Sequence, residues 1–162
     1  MNRNIYLLKY RMSGIKNIVE PIEMDFYKKT IDNNFNPDKY KVKAVYGENG
    51  SGQTAVVLSV KLLQKLLLDK NYLGDTNTQK KLSHIINKNS KKGFIEVEFL
   101  DDYGFGKKII YYYVEFALKV DGRVYITSEK MKVKNGNYSK NKYNMVFETK
   151  NGELIYFFRL SI

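Results

Sequence analysis

From residue 94 onward the sequence is cut into alternating segments by turn dipeptides, and this pattern leaves the second half few ways to fold. Segments over 94–100, 108–120, 123–134, 138–149 and 153–160 are separated by Asp101-Asp102-Tyr103-Gly104, Asp121-Gly122, Asn135-Gly136 and Asn151-Gly152. Asp-Gly and Asn-Gly take the positive φ values of tight hairpin turns, whose twist matches that of the strands they join. Within the segments apolar and polar residues alternate, as they do when successive side chains point to opposite faces of a sheet. An antiparallel meander is the expectation.

The first half changes period. Residues 5–12 are mostly apolar and aromatic, and after a turn at Ser13-Gly14 the stretch 18–27 sends Ile22, Met24 and Phe26 to one side. These read as two antiparallel strands. An asparagine-rich stretch over 32–41, containing Pro37, reads as a loop. Val42, Ala44, Val45 and Tyr46 then suggest a short apolar strand, followed at once by Gly47-Glu48-Asn49-Gly50-Ser51-Gly52-Gln53-Thr54 and a helical pattern from residue 55 to about residue 70. In that helix Val56, Val60, Leu63 and Leu67 share one face, widened by Leu62 and Leu66, opposite Lys61 and Lys65. A weaker helical pattern around Leu82, Ile85 and Ile86 runs to about Asn89, with Asp75, Thr76 or Thr78 as its cap. The expected fold is α/β with α+β character. It is a P-loop strand–loop–helix unit packed with a large, mainly antiparallel sheet, in a single domain over 1–162.

Composition narrows the chemistry. At 162 residues, with 43% apolar and 14% aromatic residues, the chain can bury a core. It contains no cysteine and one histidine, His84, which excludes disulfides, thiolate metal sites and histidine metal clusters and argues against Cys/His or Ser/His/Asp catalysis. No apolar run approaches the roughly eighteen residues of a membrane span, and the start lacks a signal-peptide layout, so a cytoplasmic protein with no membrane partner is expected. The net charge of +11 suits a polyanionic partner, including nucleic acid. Most of it is scattered lysine, with arginine only at Arg3, Arg11, Arg123 and Arg159, which favours a solvated surface over a phosphate clamp.

The glycine-rich stretch carries the chemistry. A phosphate loop needs glycines because its backbone curls around the anion with φ values other residues resist, while the helix that follows adds its positive N-terminus. Gly47, Gly50 and Gly52 supply the first condition. In Gly-x-x-x-x-Gly-Lys-Ser/Thr the final hydroxyl completes Mg²⁺ coordination, and Thr54 stands at that place. The lysine position is Gln53, which removes a charge-assisted contact to the β- and γ-phosphates but leaves the backbone N–H groups. The plainer alternative is a glycine-rich turn that binds nothing.

With that one replacement, Gly47-Glu48-Asn49-Gly50-Ser51-Gly52-Gln53-Thr54 resembles the Walker A loop of ABC-type ATPases of the SMC, RecF and OLD-like group, including AAA-family ATPases of bacterial defence and repair systems. The opening Ser13-Gly14-Ile15-Lys16-Asn17-Ile18, and the strand ending at Phe26, are similar to that group's first hairpin, whose turn lies beside the nucleotide phosphates. Tyr113-Val114-Glu115-Phe116 and Ser128-Glu129-Lys130-Met131 resemble the antiparallel sheet of its first lobe. The resemblance implies ATP and Mg²⁺ as ligands, residues 47–54 as the nucleotide site with Thr54 toward the metal, and Lys16 and Asn17 as secondary contacts. It also implies, as partners, the remainder of an ATPase or a second ATPase head. An ordinary polar turn is the alternative for Lys16 and Asn17.

Hydrolysis in that group also requires a Walker B strand, a serine-rich signature motif and a late switch histidine. The nearest Walker B imitation, Phe94-Ile95-Glu96-Val97-Glu98-Phe99-Leu100-Asp101-Asp102, alternates apolar and acidic residues as a hairpin strand does, whereas a buried parallel strand is continuously apolar. No serine-glycine-glycine motif occurs, and His84 precedes the sheet. The expectation is therefore the first lobe of a longer ATPase, or a reduced relative, that binds ATP without turning it over. The alternative is a non-enzymatic adaptor with a relic loop, whose basic sheet binds nucleic acid or a protein. Tyr111-Tyr112-Tyr113 and Phe157-Phe158 read as cross-strand pairs and core edges, His84 as a surface residue, and Lys130, Lys132 and Lys134 as a solvated sheet face.

Overall fold

The computed structural model describes residues 3–27, 30–32, 34–46, 52–104, 106–137 and 140–158. Among them lie strands β1 (Asn4–Ser13) and β2 (Ile22–Asp25), helices α1 (Gln53–Leu68) and α2 (Thr76–Ile85), and strands β3 (Lys92–Asp102), β4 (Lys107–Leu118), β5 (Val124–Asn135), β6 (Asn144–Lys150) and β7 (Glu153–Phe157). The strands form one seven-stranded sheet in the order β2-β1-β3-β4-β5-β6-β7, antiparallel throughout. The fold is α+β, and the expected meander from β3 to β7 is present. β6 begins at Asn144 rather than at residue 138, and Tyr138 itself lies outside the described residues.

α1 and α2 cover one face. Tyr10 and Met12 of β1, Ile95 and Val97 of β3, and Tyr112, Val114 and Phe116 of β4 point to that side and pack with Ala55, Leu62, Leu63, Leu82 and Ile86 in the main core. Leu8 is the extra residue at a β-bulge between Leu7 and Lys9, and it joins a second, smaller core with Ile31, Leu100 and Ile109. Tyr27, Phe35 and Tyr143 close that second core, so part of the stretch read as a loop packs on the sheet.

Two expectations in the first half need correction. The stretch 42–46 is not a strand. Val42 is 89% and Tyr46 90% exposed, and among the described residues no strand borders it; a lone strand has no ladder to satisfy its backbone groups. In α1 the buried face is Ala55, Ser59, Leu62 and Leu63, whereas Val60 and Leu67 are about half exposed. The helix is rotated because small residues face the sheet, where Tyr10 Oη donates to Ser59 Oγ over 2.7 Å. A single sheet covers only one side of a helix, so the remainder of the apolar stripe stays outside.

Candidate functional site

The site grows from the turn after β1. Gly14 N donates to Ile18 O over 2.8 Å and Ser13 Oγ to Val19 O over 2.6 Å, folding the chain back on itself. Gly14 has a φ of +75°, and a Cβ there would lie 2.0 Å from Lys92 O, so β3 passes too close for any side chain. Lys16 is left-handed as well, with a φ of 53°, a conformation that costs a non-glycine residue about 1 kcal/mol.

The segment leaving α2 holds that turn in place. Lys16 N donates to Ile85 O over 2.7 Å and Asn87 N to Gly14 O over 2.9 Å, forming a bridge between Ile15 and Ile86. Asn87, only 6% exposed, donates from Nδ2 to Lys16 O over 2.7 Å, while its Oδ1 accepts from the N–H groups of Asn89 and Ser90. Lys16 Nζ donates to His84 O over 3.2 Å.

On the other side stands the start of α1. Gly52 is its N-cap, with a φ of 104°, and a Cβ at Gly52 would fall 2.3 Å from Ile18 Cδ1. The glycine therefore lets the helix start abut the turn. The first N–H groups of an α-helix have no intrahelical acceptor, and the first turn of α1 carries no acidic side chain to occupy them. Gln53 and Thr54 are exposed there.

Between these walls is a cavity of about 730 Å³, within the range of small-molecule sites. Lys16, Asn17, Gly52, Gln53 and Thr54, singled out in the sequence, all line it. His84, Asn87, Lys88 and Asn89 line it too, and sequence reasoning missed them as site residues. The Asx-turn spacing of Asn87 and Asn89 was a visible signal of a local turn, but nothing in it names the turn's partner. No carboxylate belongs to the described lining, which carries Lys16 and Lys88 and suits an anion. Gly47, Glu48, Asn49, Gly50 and Ser51 lie outside the described residues.

Asp101 and Asp102 have structural occupations elsewhere. Arg3 Nε and Nη2 bind the Asp101 carboxylate at 2.7 and 2.8 Å, while Asp102 pairs with Lys107 at 3.7 Å and accepts from Gly104 N. Both sit on the antiparallel β3, in keeping with the hairpin reading.

The sheet face opposite α1 mixes charges. Lys9 pairs with Glu23 at 3.0 Å and Arg11 with Glu96 at 3.6 Å. Lys130, Lys132 and Lys134 lie over the rings of Tyr113, Tyr111 and Tyr143, with Nζ 4.2–5.3 Å from the ring centroids. Lys134, expected to be solvated, is 7% exposed, and burial pushes its ammonium below the ordinary range. The tyrosine faces that could stack on bases already carry lysines, and carboxylates interrupt the positive charge, which argues against a nucleic-acid surface there. Tyr112 faces the main core and donates to Glu129 over 2.6 Å.

No protein-family model, curated protein or solved structure matches the chain.

Proposed function

We propose that this chain is an ATP-binding lobe of a P-loop ATPase of the ABC-type SMC, RecF and OLD-like group, impaired in hydrolysis. One observation carries the reading. Lys16 and Asn17, far from Gly52, Gln53 and Thr54 in sequence, line the same cavity with them, and its described lining carries two lysines and no carboxylate. This is the juxtaposition that the resemblance implies for a phosphate site.

The triphosphate would lie against the start of α1, where backbone N–H groups and the helix dipole favour negative charge. Among the described residues no group of three or more His, Asp or Glu side chains could hold a metal alone. Mg²⁺ fits here only when it arrives on the phosphates, with the exposed Thr54 hydroxyl as its protein ligand. Thr54 would hold the ion, whose positive charge would offset that of the triphosphate. Gln53 contributes no charge, so binding is weak. Asp101 and Asp102 are tied to Arg3 and Lys107, so neither is placed to orient an attacking water.

The rotated face of α1 bears on partners. Val60, Leu63, Leu67 and Leu68 join Leu7, Tyr10 and Phe99 in an almost wholly apolar groove of about 410 Å³. It offers the kind of surface that the remainder of an ATPase, or a second head, would cover. The same groove supports the alternative, a non-enzymatic adaptor that binds a protein and keeps the loop as a relic. No described helix is long and apolar enough to cross a membrane.

Thermal unfolding separates the two readings, because a ligand that prefers the folded state raises the melting temperature. Millimolar Mg-ATP is expected to raise it, and Thr54→Ala to reduce the rise. No rise at any nucleotide concentration would leave the adaptor.

A further inference from the structure

We infer that Asn87 is a positioning residue that sets Lys16 for the bound triphosphate; the inference rests on the cavity being a nucleotide site. Lys16 has the least comfortable backbone in the cavity wall, with a φ of 53° in a residue that is not glycine. Such a conformation persists when surrounding contacts over-determine it. Besides the hydrogen bonds that close the turn on itself, from Gly14 N to Ile18 O and from Ile18 N to Ile15 O, the contacts come from one short segment. Ile85 O accepts from Lys16 N, Asn87 Nδ2 donates to Lys16 O, and Asn87 N holds the carbonyl of Gly14 two residues earlier. Asn87 thereby holds the turn at Gly14 and at Lys16, and Lys16, whose Nζ donates to His84 O, lines the same cavity as Gln53 and Thr54.

Asparagine suits this place for a stated chemical reason. Its Oδ1 is taken by the N–H groups of Asn89 and Ser90, at 3.0 and 2.9 Å, which orients the amide so that Nδ2 faces Lys16 O. An amide provides acceptor and donor from one rigid plane, and a carboxylate provides acceptors only. Asn87 is 6% exposed, so the donor side of the bond is shielded from competing water. In a site without the loop lysine, a lysine on the opposite wall acquires more of the work of meeting phosphate charge, and its placement matters accordingly.

The test is a double-mutant cycle read by calorimetric titration of Mg-ATP, at a temperature where circular dichroism finds every variant folded. Asn87→Ala and Lys16→Ala are each expected to weaken triphosphate binding about fivefold or more, and the double variant to bind no worse than the weaker single one, since Asn87 acts through the Lys16 side chain. Adenosine monophosphate binding should hardly change. Full additivity, or an unchanged dissociation constant in Asn87→Ala, would overturn the inference. Should Asn87→Ala fail to fold, Asn87→Asp keeps the acceptors for Asn89 and Ser90 and withdraws the donor. Its loss relative to the native protein should persist at high salt, where a mere charge effect fades; a loss that vanishes with salt overturns the positioning role. A native protein that binds no triphosphate at millimolar concentration overturns the nucleotide reading itself, and the inference with it.

Discussion

Tyr10 Oη lies 2.7 Å from Ser59 Oγ, and this single buried bond ties the middle of β1 to the middle of α1. Ser59 Oγ in turn donates to Val56 O over 2.7 Å, so the pair is satisfied without water. The bond holds Ser59 against the sheet, on the buried face of α1 that also carries Ala55, Leu62 and Leu63.

Tyr10→Phe should therefore destabilise the protein by about 1 kcal/mol, the usual worth of a buried neutral hydrogen bond, with the fold intact. Denaturant titration measures this. An unchanged midpoint would mean that packing alone sets the rotation.

A contrast along α1 tests the rotated face. Val60→Lys, at a half-exposed position, should stay within about 0.5 kcal/mol of the native stability, whereas Leu62→Ala, at a buried one, should cost about 2–4 kcal/mol. The reverse order in thermal unfolding would restore the face expected from periodicity.

Gly14→Ala should cost about 2–4 kcal/mol, combining a left-handed φ with a Cβ driven against the Lys92 carbonyl. Gly122→Ala shares the positive φ, but no atom lies within 4 Å of its added Cβ, so it should cost only the backbone part. Equal losses in the two variants would show that the close approach of β3 contributes nothing.

Burial raises Tyr10, Tyr111, Tyr112 and Tyr143, and pushes Tyr113 up to about 12. A folded pKa above the unfolded one means that the unfolded chain releases its proton first. The stability these groups contribute is present below about pH 10 and is lost as pH rises through the folded values. Ultraviolet titration of tyrosinate should lag in the native protein behind the same protein in guanidinium. Coincident curves would contradict the burial of these rings.

The parts of the fold that were legible in the sequence are those set by neighbouring residues. Asn151 and Gly152 both take positive φ, at 48° and 84°, as the hairpin dipeptide demands, and Asp75 caps α2 through Thr78 N. The parts that were not legible depend on distant partners. Residues 42–46 have strand chemistry but no neighbouring strand among the described residues, and the stripe of α1 is apolar on more sides than one sheet can cover. At the candidate site the turn at Lys16 and Asn17 and the helix start at Thr54 could be named from the sequence. The wall from His84 to Asn89 could not, because its place depends on hydrogen bonds to a turn about seventy residues earlier.

If the helix start and the turn form a phosphate site, only a side-chain charge is missing from it. Restoring that charge with Gln53→Lys tests it most directly, with both proteins titrated calorimetrically in Mg²⁺ against nucleoside triphosphate and monophosphate. Because Gln53 is exposed, stability should be nearly unchanged. Triphosphate binding should tighten about tenfold to a hundredfold, and monophosphate binding should gain little. Absence of triphosphate binding by both variants at millimolar concentration, or an equal gain for both ligands, would rule out a phosphate site at the helix start.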